Sequence, residues 1–513
     1  MLTNLSLERF QGFSTRTQVP IKPLTLIFGP NSSGKSSLIR SLLLSKQSLG
    51  GDSPYSSRRI GFEYEGEATS LASFANVVYK HDEKSTFVVE LALSCGPNRK
   101  MAEARRMLRE REYGLGSYVM VDLESSVEKI TSSWEVSKEK PVANCKISVK
   151  FIEQAAPLEI EFKLENSEIS NDKISINYGF TIKNLEIFLN LIESRVPSAD
   201  KAFIQDEYVL ADVREVIPGN DEAEHGSFRS KFREEIENID HLMEDLVFDV
   251  IDNFVRITPA SARESIFGQN LSQLLSYQQA VVKRHLRGVK HIGPLREISQ
   301  RLTYAAGSIL ALDEDSSEVQ ATPVENEVSN WLYELTDGRY RLSPIESYLG
   351  QARFLGALKS KILTDTKTGT PVTFQDVGVG LSQVLPILEL ISGAAPKREH
   401  TLLIEQPELH LHPKMQANLV DLFIKFIQND PMERCIISET HSEAMLLRVQ
   451  KRIREGSLDP SLVQIIYVDQ TPESPESNRG EGNFAFALPI DENGDFIMPM
   501  PNSFSSLRFE DLI

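Results

Sequence analysis

Hydrophobic and polar positions along the chain fall into stretches of different period. Residues 2–13 roughly alternate apolar and polar positions through Leu5, Leu7, Phe10 and Phe13, and Val19–Ile27 adds further strand material, so a small β layer is predicted at the N-terminus. Leu24–Phe28 reads as a buried strand, and Ser37–Leu44 carries apolar residues at helical spacing. After the turn-rich Gly50–Pro54, Thr86–Leu93 is again strand-like. From about Gly96 to Leu286 the pattern changes. A charged segment precedes the alternating stretches Cys145–Phe151, Leu158–Leu164 and Ile174–Ile182, and helices are predicted over Phe228–Thr258 and Ser261–Arg287. No heptad run long enough for a coiled-coil arm is present, so this region reads as an insertion. Beyond the acidic loop Asp313–Glu318, Thr401–Ile404, Arg434–Ser438 and Leu462–Asp469 read as further strands, the last followed by a turn at Gln470-Thr471-Pro472.

Between the strand Leu24–Phe28 and the helix that follows lies Gly29-Pro30-Asn31-Ser32-Ser33-Gly34-Lys35-Ser36-Ser37, a full match to G-x-x-x-x-G-K-[ST]. Small residues let such a backbone curl so that successive N–H groups converge on a phosphate, and the following helix aims its positive dipole end at the same anion. The loop residues Asn31, Ser32, Ser33, Gly34, Lys35, Ser36 and Ser37 are therefore the expected nucleotide contacts. Lys35 is expected to reach the β- and γ-phosphates of ATP, and the Ser36 hydroxyl to ligate Mg²⁺.

The strand Thr401–Ile404 runs into Glu405-Gln406-Pro407-Glu408-Leu409-His410-Leu411-His412-Pro413. A carboxylate fixed at the end of a buried strand is what a Mg²⁺–phosphate site needs opposite the loop, and Glu405 is the expected metal-side residue. Pro407 is expected to turn Glu408 away from the strand end. After Arg434–Ser438 comes Glu439-Thr440-His441-Ser442, where His441 is the candidate for reporting the γ-phosphate, since open α/β sheets place ligands at the carboxyl ends of their strands. His410 and His412 form a lone H-x-H and read as loop residues, not as a metal site. Gly378, Gly380 and Ser382, followed by an apolar helix, make a second anion-binding helix start.

Composition adds limits. The chain has 513 residues, more than one ordinary core accommodates. With 55 Lys and Arg against 73 Asp and Glu its formal charge is −18, which argues against coating nucleic acid through the whole surface; basic stretches at Arg99–Arg111 and Lys283–Lys290 leave nucleic acid open as a local partner. The 3 cysteines are far apart, with no C-x-x-C pair, so neither a disulfide framework nor a zinc site is expected. No apolar run is long enough for a bilayer and no secretory pattern opens the chain, so a cytoplasmic protein without membrane contact is expected.

Taken in order, Gly29–Ser37, His291–Glu297, Asp376–Ile387, Ile404–Pro413 and Ser438–Glu443 resemble the ATP-binding-cassette ATPases of the SMC, Rad-fifty and RecF type. The set looks closest to the stand-alone prokaryotic AAA-family ATPases that include the Septu-type and OLD-type defence proteins. The resemblance implies an α/β fold: a P-loop ABC-type ATPase head with a mostly parallel sheet, an N-terminal β layer and a mixed α+β insertion. The expected divisions are 1–95 and 291–445 for the two halves of the head, 96–290 for the insertion and 446–513 for a C-terminal extension.

In such ATPases two heads sandwich ATP, so the resemblance implies a homodimer in which Gly378, Gly380 and Ser382 act on the partner's γ-phosphate and His441 is the switch histidine. It also implies ATP and Mg²⁺ as cofactors and a separately encoded effector, such as a nuclease, in antiviral defence. The alternative class is a DNA-repair or chromosome-maintenance ATPase that itself grips DNA. The family pattern departs at several positions. Gln406 stands where the cassette has its water-polarising Glu, so slow hydrolysis is expected of the catalytic set Glu405, Gln406 and His441. Gly378-Val379-Gly380 replaces the signature serine-glycine, His412 takes the D-loop aspartate position, and Gln47 lies too early for a glutamine loop. The tail carries no Asp-x-Asp cluster of the kind a two-metal nuclease needs.

Overall fold

A computed structural model describes residues 1–50, 61–95, 126–139, 143–152, 154–170, 173–195, 234–239, 243, 246, 248–251, 254–257, 265–294, 296, 303–305, 322–348, 357–374, 376–393, 400–470 and 482–498. The turn at 51–54, the basic stretch 99–111, the acidic loop 313–318 and residues 471–472 lie outside the described residues. The chain divides into two compact units. One comprises Met1, Gln11–Leu43 and Gly288–Ile513, the other Leu2–Phe10 and Leu44–Arg287.

The first unit is built on a six-stranded sheet in the order Val289–Ile292, His400–Glu405, Arg434–Glu439, Leu24–Phe28, Val463–Asp469 and Phe484–Leu488. Every neighbouring pair is parallel except the last, an antiparallel hairpin. Parallel strands covered on both faces need near-continuous apolar sequence, and Leu24–Phe28 and Val463–Asp469 are buried at every residue. Helices supply the cover. Pro413–Gln428 places Leu419, Val420, Phe423, Phe426 and Ile427 at helical spacing into a core shared with Leu26, Phe28, Ile404, Ile436 and Ile465. It begins cleanly because His412 Nδ1 accepts from Lys414 N and Pro413 needs no donor there. Glu443–Arg454 is capped by Ser442, which accepts from Met445 N, and its basic residues Lys451, Arg452 and Arg454 lie at the negative end of the helix dipole. A small antiparallel sheet of Thr303–Ala305, Ala357–Asp365, Tyr340–Tyr348 and Thr370–Thr373 also belongs to this unit.

The second unit holds an antiparallel meander of Leu2–Glu8, Thr86–Ser94, Val127–Ser137, Asn144–Phe151, Leu158–Ser170 and Lys173–Lys183. The helix Ile266–Arg287 belongs to it and buries Phe267, Leu271, Leu274, Val282 and Leu286. The architecture is thus the expected α/β class, with a mostly parallel sheet, an N-terminal β layer and a mixed α+β insertion. One local expectation changes. Within 228–258, predicted helical from its apolar spacing, Phe248–Ile251 and Phe254–Ile257 form an antiparallel hairpin, and their aromatic and β-branched content accounts for the choice. In the first unit, Phe423→Ala should lower stability by about 3–5 kcal/mol, because the fully buried ring leaves a cavity facing the sheet; a denaturant titration checks this.

Candidate functional site

The strand Leu24–Phe28 lies between Arg434–Glu439 and Val463–Asp469, so the chain leaves the sheet at the carboxyl ends of its parallel strands. Residue 29 must be glycine: φ is +148°, and a Cβ would fall 2.1 Å from the Val468 carbonyl oxygen. Ser32 and Gly34 also have positive φ, at 62° and 101°, and the loop closes with Ser37 N donating to Gly34 O at 3.0 Å. Asn31 and Ser32 are exposed, Ser33 and Ser37 are buried, and the helix Lys35–Leu49 starts directly from the loop. The Ser33 hydroxyl is buried without a hydrogen-bond partner among the described residues, an unmet polar group inside the curl.

Lys35 is 3% exposed, and its ammonium donates to the carbonyls of Gly29 at 3.0 Å and Pro30 at 2.7 Å. Burial lowers its pKa, opposed by the charges of Glu439 and Glu408. Ser36 Oγ donates to Glu439 Oε2 at 2.8 Å. A hydroxyl and a carboxylate side by side are hard oxygen donors of the kind Mg²⁺ takes. With the unpaired Ser33 hydroxyl and the helix start, these residues fit a magnesium-bound nucleoside phosphate.

Glu405 and Glu439 are register partners at the ends of neighbouring strands. Glu405 Oε1 lies 2.8 Å from His291 Nε2. The carboxylate in contact with Ser36 is therefore Glu439, one strand nearer the loop than the residue singled out from the sequence. Burial raises the Glu439 pKa, countered by the Ser36 hydrogen bond and Lys35, while Glu405 and Glu408 push it further up. Gln406 turns the chain at φ 45° and donates its backbone N–H to Glu439 O at 2.8 Å.

The expectation that Pro407 turns Glu408 away is corrected. Glu408 is 9% exposed, its Oε1 accepts from His441 N at 2.7 Å, and it is close enough to raise the Lys35 pKa by its charge. Its own pKa is raised by burial, against the His441 N–H and the Arg296 charge. The His441 side chain is exposed, and partial desolvation together with Lys35 holds its pKa below the ordinary value.

Arg296 ties the turn together. The buried guanidinium donates through Nη2 to Glu405 O at 2.7 Å and Gln406 O at 3.3 Å, and through Nη1 to Gln383 O at 3.3 Å. Gln383 Nε2 returns a hydrogen bond to Arg296 O at 2.8 Å. Burial brings the Arg296 pKa down to about 10 despite Glu408 and Glu405.

The helix Val379–Ser392 begins beside this turn, because a Cβ on Gly380 would lie 2.5 Å from His410 O. Gly378 has φ 97° and open space around it, and Val379 is exposed. Ser382 differs from the expectation: it is 1% exposed and its Oγ donates to Phe374 O at 3.0 Å, so its hydroxyl holds the preceding turn and does not face outward.

Glu439 and Arg296 were not singled out from the sequence. Glu439 could have been found as a second carboxylate ending an apolar strand. Arg296 had no signal beyond lying in the His291–Glu297 segment.

The profile of the AAA ATPase domain family (AAA_15) matches residues 1–446. The chain belongs to the AAA ATPase domain family. No curated protein matches it. Among solved structures it is similar to an SmcHead bound to the C-winged helix domain of ScpA, with 10% identity, 96% of this chain and 98% of that chain covered, and a TM-score of 0.39. It is similar to an Smc head domain with an extended coiled coil bound to the C-terminal domain of ScpA derived from Pyrococcus furiosus, with 10% identity, coverage of 95% and 96%, and a TM-score of 0.37. It is also similar to the SMC head domain from Thermotoga maritima, with 9% identity, coverage of 96% and 99%, and a TM-score of 0.33. Among the described residues no helix is long and apolar enough to cross a membrane.

A Glu whose folded-state pKa is raised stabilises the fold only while protonated, and that contribution is lost as pH rises through the folded pKa. Above the ordinary carboxylate range Glu439 therefore costs stability. Glu439→Gln should raise the Tm of the ligand-free protein at pH 7.5 by about 2–4 °C, the shift that ~1 kcal/mol gives in a unit of this size, with the gain vanishing towards pH 4. Differential scanning calorimetry across pH checks this.

Proposed function

We propose that this AAA ATPase is an ATP-dependent dimerising switch that senses or scaffolds in the cytoplasm and passes its state to a separately encoded effector, such as a nuclease, in antiviral defence. The observation that carries the nucleotide part is the convergence of the Lys35 ammonium, the Ser36–Glu439 pair and the buried Glu408 at one end of the parallel strands. In this reading the loop N–H groups of Asn31–Ser37 and the Lys35 ammonium hold the phosphates. Ser36 and Glu439 hold Mg²⁺, with Glu405 behind them in the same carboxylate row. Mg²⁺, when bound, supplies positive charge to the phosphate oxygens.

The chain's own residues then decide the rate. Gln406 can orient a water but cannot take its proton, whereas Glu408 is a carboxylate with a raised pKa, the property of a general base. His441 carries Glu408 on its backbone N–H, so a change at one is felt at the other. Gly378 and Gly380 begin a helix beside the same turn, and the open space at Gly378 is compatible with contact to a nucleotide held by a second copy. The motif resemblance to defence ATPases supports the effector and the antiviral setting, and a dimer follows from the same resemblance.

Lys35→Ala should abolish ATP binding in calorimetry while the fold is retained in circular dichroism, with a lowered Tm because Glu439 and Glu408 lose their buried cation. Equal ATP affinity in the variant would remove the nucleotide reading. In single-turnover assays Gln406→Glu should raise hydrolysis at least tenfold and Glu408→Gln should reduce it about 10²-fold or more, the range a general base contributes. Unchanged turnover in both variants would place the base elsewhere.

A further inference from the structure

The antiparallel hairpin of Val463–Asp469 and Phe484–Leu488 lies beyond the residues the family profile matches, yet residues of both its arms, at the end where Asp469 pairs with Phe484, reach the phosphate loop. On one arm the Val468 carbonyl oxygen stands where a Cβ on Gly29 would be, and Gln470 Nε2 donates to Ser32 O at 2.7 Å. On the other arm Asn483 is buried, held by its N–H to Gly12 O at 2.8 Å. Its side-chain amide is wedged between two glycines. A Cβ on Gly12 would lie 2.1 Å from Asn483 Nδ2, and a Cβ on Gly34 would lie 2.2 Å from the same atom. Gly34 is the second glycine of the phosphate loop, at φ 101° directly before Lys35. The carbonyl that Gln470 holds belongs to Ser32, which shares positive φ with the loop glycines Gly29 and Gly34.

We propose that Gln470 and Asn483 are positioning residues for the phosphate loop: the hairpin sets the curl of Ser32–Gly34, and nucleotide affinity is linked to how the hairpin is held. The contacts are to the loop's own backbone at its strained positions, where a displacement re-aims the N–H groups directly. The loop cannot drift from its binding curl without giving up the Gln470 hydrogen bond or opening the Asn483 wedge. By reciprocity, whatever fixes the hairpin tightens nucleotide binding, and nucleotide binding steadies the hairpin. The proposal rests on the reading of this loop as a nucleotide site.

The test is ATP titration by calorimetry on the full chain with Mg²⁺, using Gln470→Ala, Gly12→Ala, Asn483→Gly and the double variant Gly12→Ala/Asn483→Gly. Gln470→Ala should weaken ATP about three- to tenfold with an unchanged Tm, since it loses one side-chain hydrogen bond at the surface. Gly12→Ala should weaken ATP by roughly tenfold, because the added methyl drives the amide towards Gly34. The double variant should return to the affinity of Asn483→Gly alone, since the obstructing amide is gone. A hairpin that merely completes the fold would change Tm and leave affinity alone, or give additive losses in the double variant; either overturns the proposal. Should Gly12→Ala fail to fold, Gln470→Ala decides by itself, and wild-type affinity in that variant also overturns it. If the unaltered chain does not bind ATP, the nucleotide reading fails and the proposal falls with it, an outcome distinct from normal binding in every variant.

Discussion

The structure of the first unit depends on placing one buried cation among carboxylates at the end of a parallel sheet. Lys35 is nearly sealed from solvent and lies within the electrostatic reach of Glu439 and Glu408. Burial alone would make the lysine shed its proton and the acids gain theirs, and their mutual attraction is what opposes both. Arg296 adds a second buried cation at the same turn, donating to the carbonyls of Glu405, Gln406 and Gln383. A cluster of this kind costs stability in the ligand-free chain, and such costs concentrate where a fold is built to receive charge.

That cluster joins segments far apart in sequence. The phosphate loop follows the strand at 24–28, the acidic turn follows the strand at 400–405, and Glu439 ends the strand at 434–439. Parallel pairing aligns Ile27, Glu439 and Glu405 across three strands, so the register that buries the core also lines up the polar ends. Core packing and site geometry are thus one constraint. A register slip on any of these strands would reverse its faces and scatter the carboxylates together.

Much of this was legible in the residues. The loop motif, the apolar strands and the helix starts are local patterns, and local patterns survive translation into structure when burial agrees with them. Strands at 24–28, 400–405 and 434–439 sit where the apolar runs placed them. The strand at 484–488 and the β-hairpin at 248–257 were not read, because short segments of mixed character take their conformation from the partner they pair with. Side-chain direction was the least legible property. Pro407 gave no warning that Glu408 would be buried against the His441 N–H, and Ser382 looked like a phosphate ligand until its hydroxyl was found on the Phe374 carbonyl. Neither the wedge at Asn483 nor the anchor at Arg296 has a sequence pattern, since each is a contact between segments far apart in the chain.

The central claim is that Ser36, Lys35, Glu439 and Glu408 form one electrostatically coupled site for Mg²⁺ and nucleoside phosphate. It is tested most directly by titrating Mg–ATP calorimetrically in two buffers of different ionisation enthalpy, at pH values stepped upward from the ordinary carboxylate value of 4.5. Because burial raises the pKa of Glu439 and the carboxylate must be ionised to meet a cation, binding should release protons above the ordinary carboxylate range, and the release should be smaller in Glu439→Gln, where only Glu408 remains with a raised pKa. Binding heats identical in both buffers at every pH, or proton release unchanged in Glu439→Gln, would contradict the account.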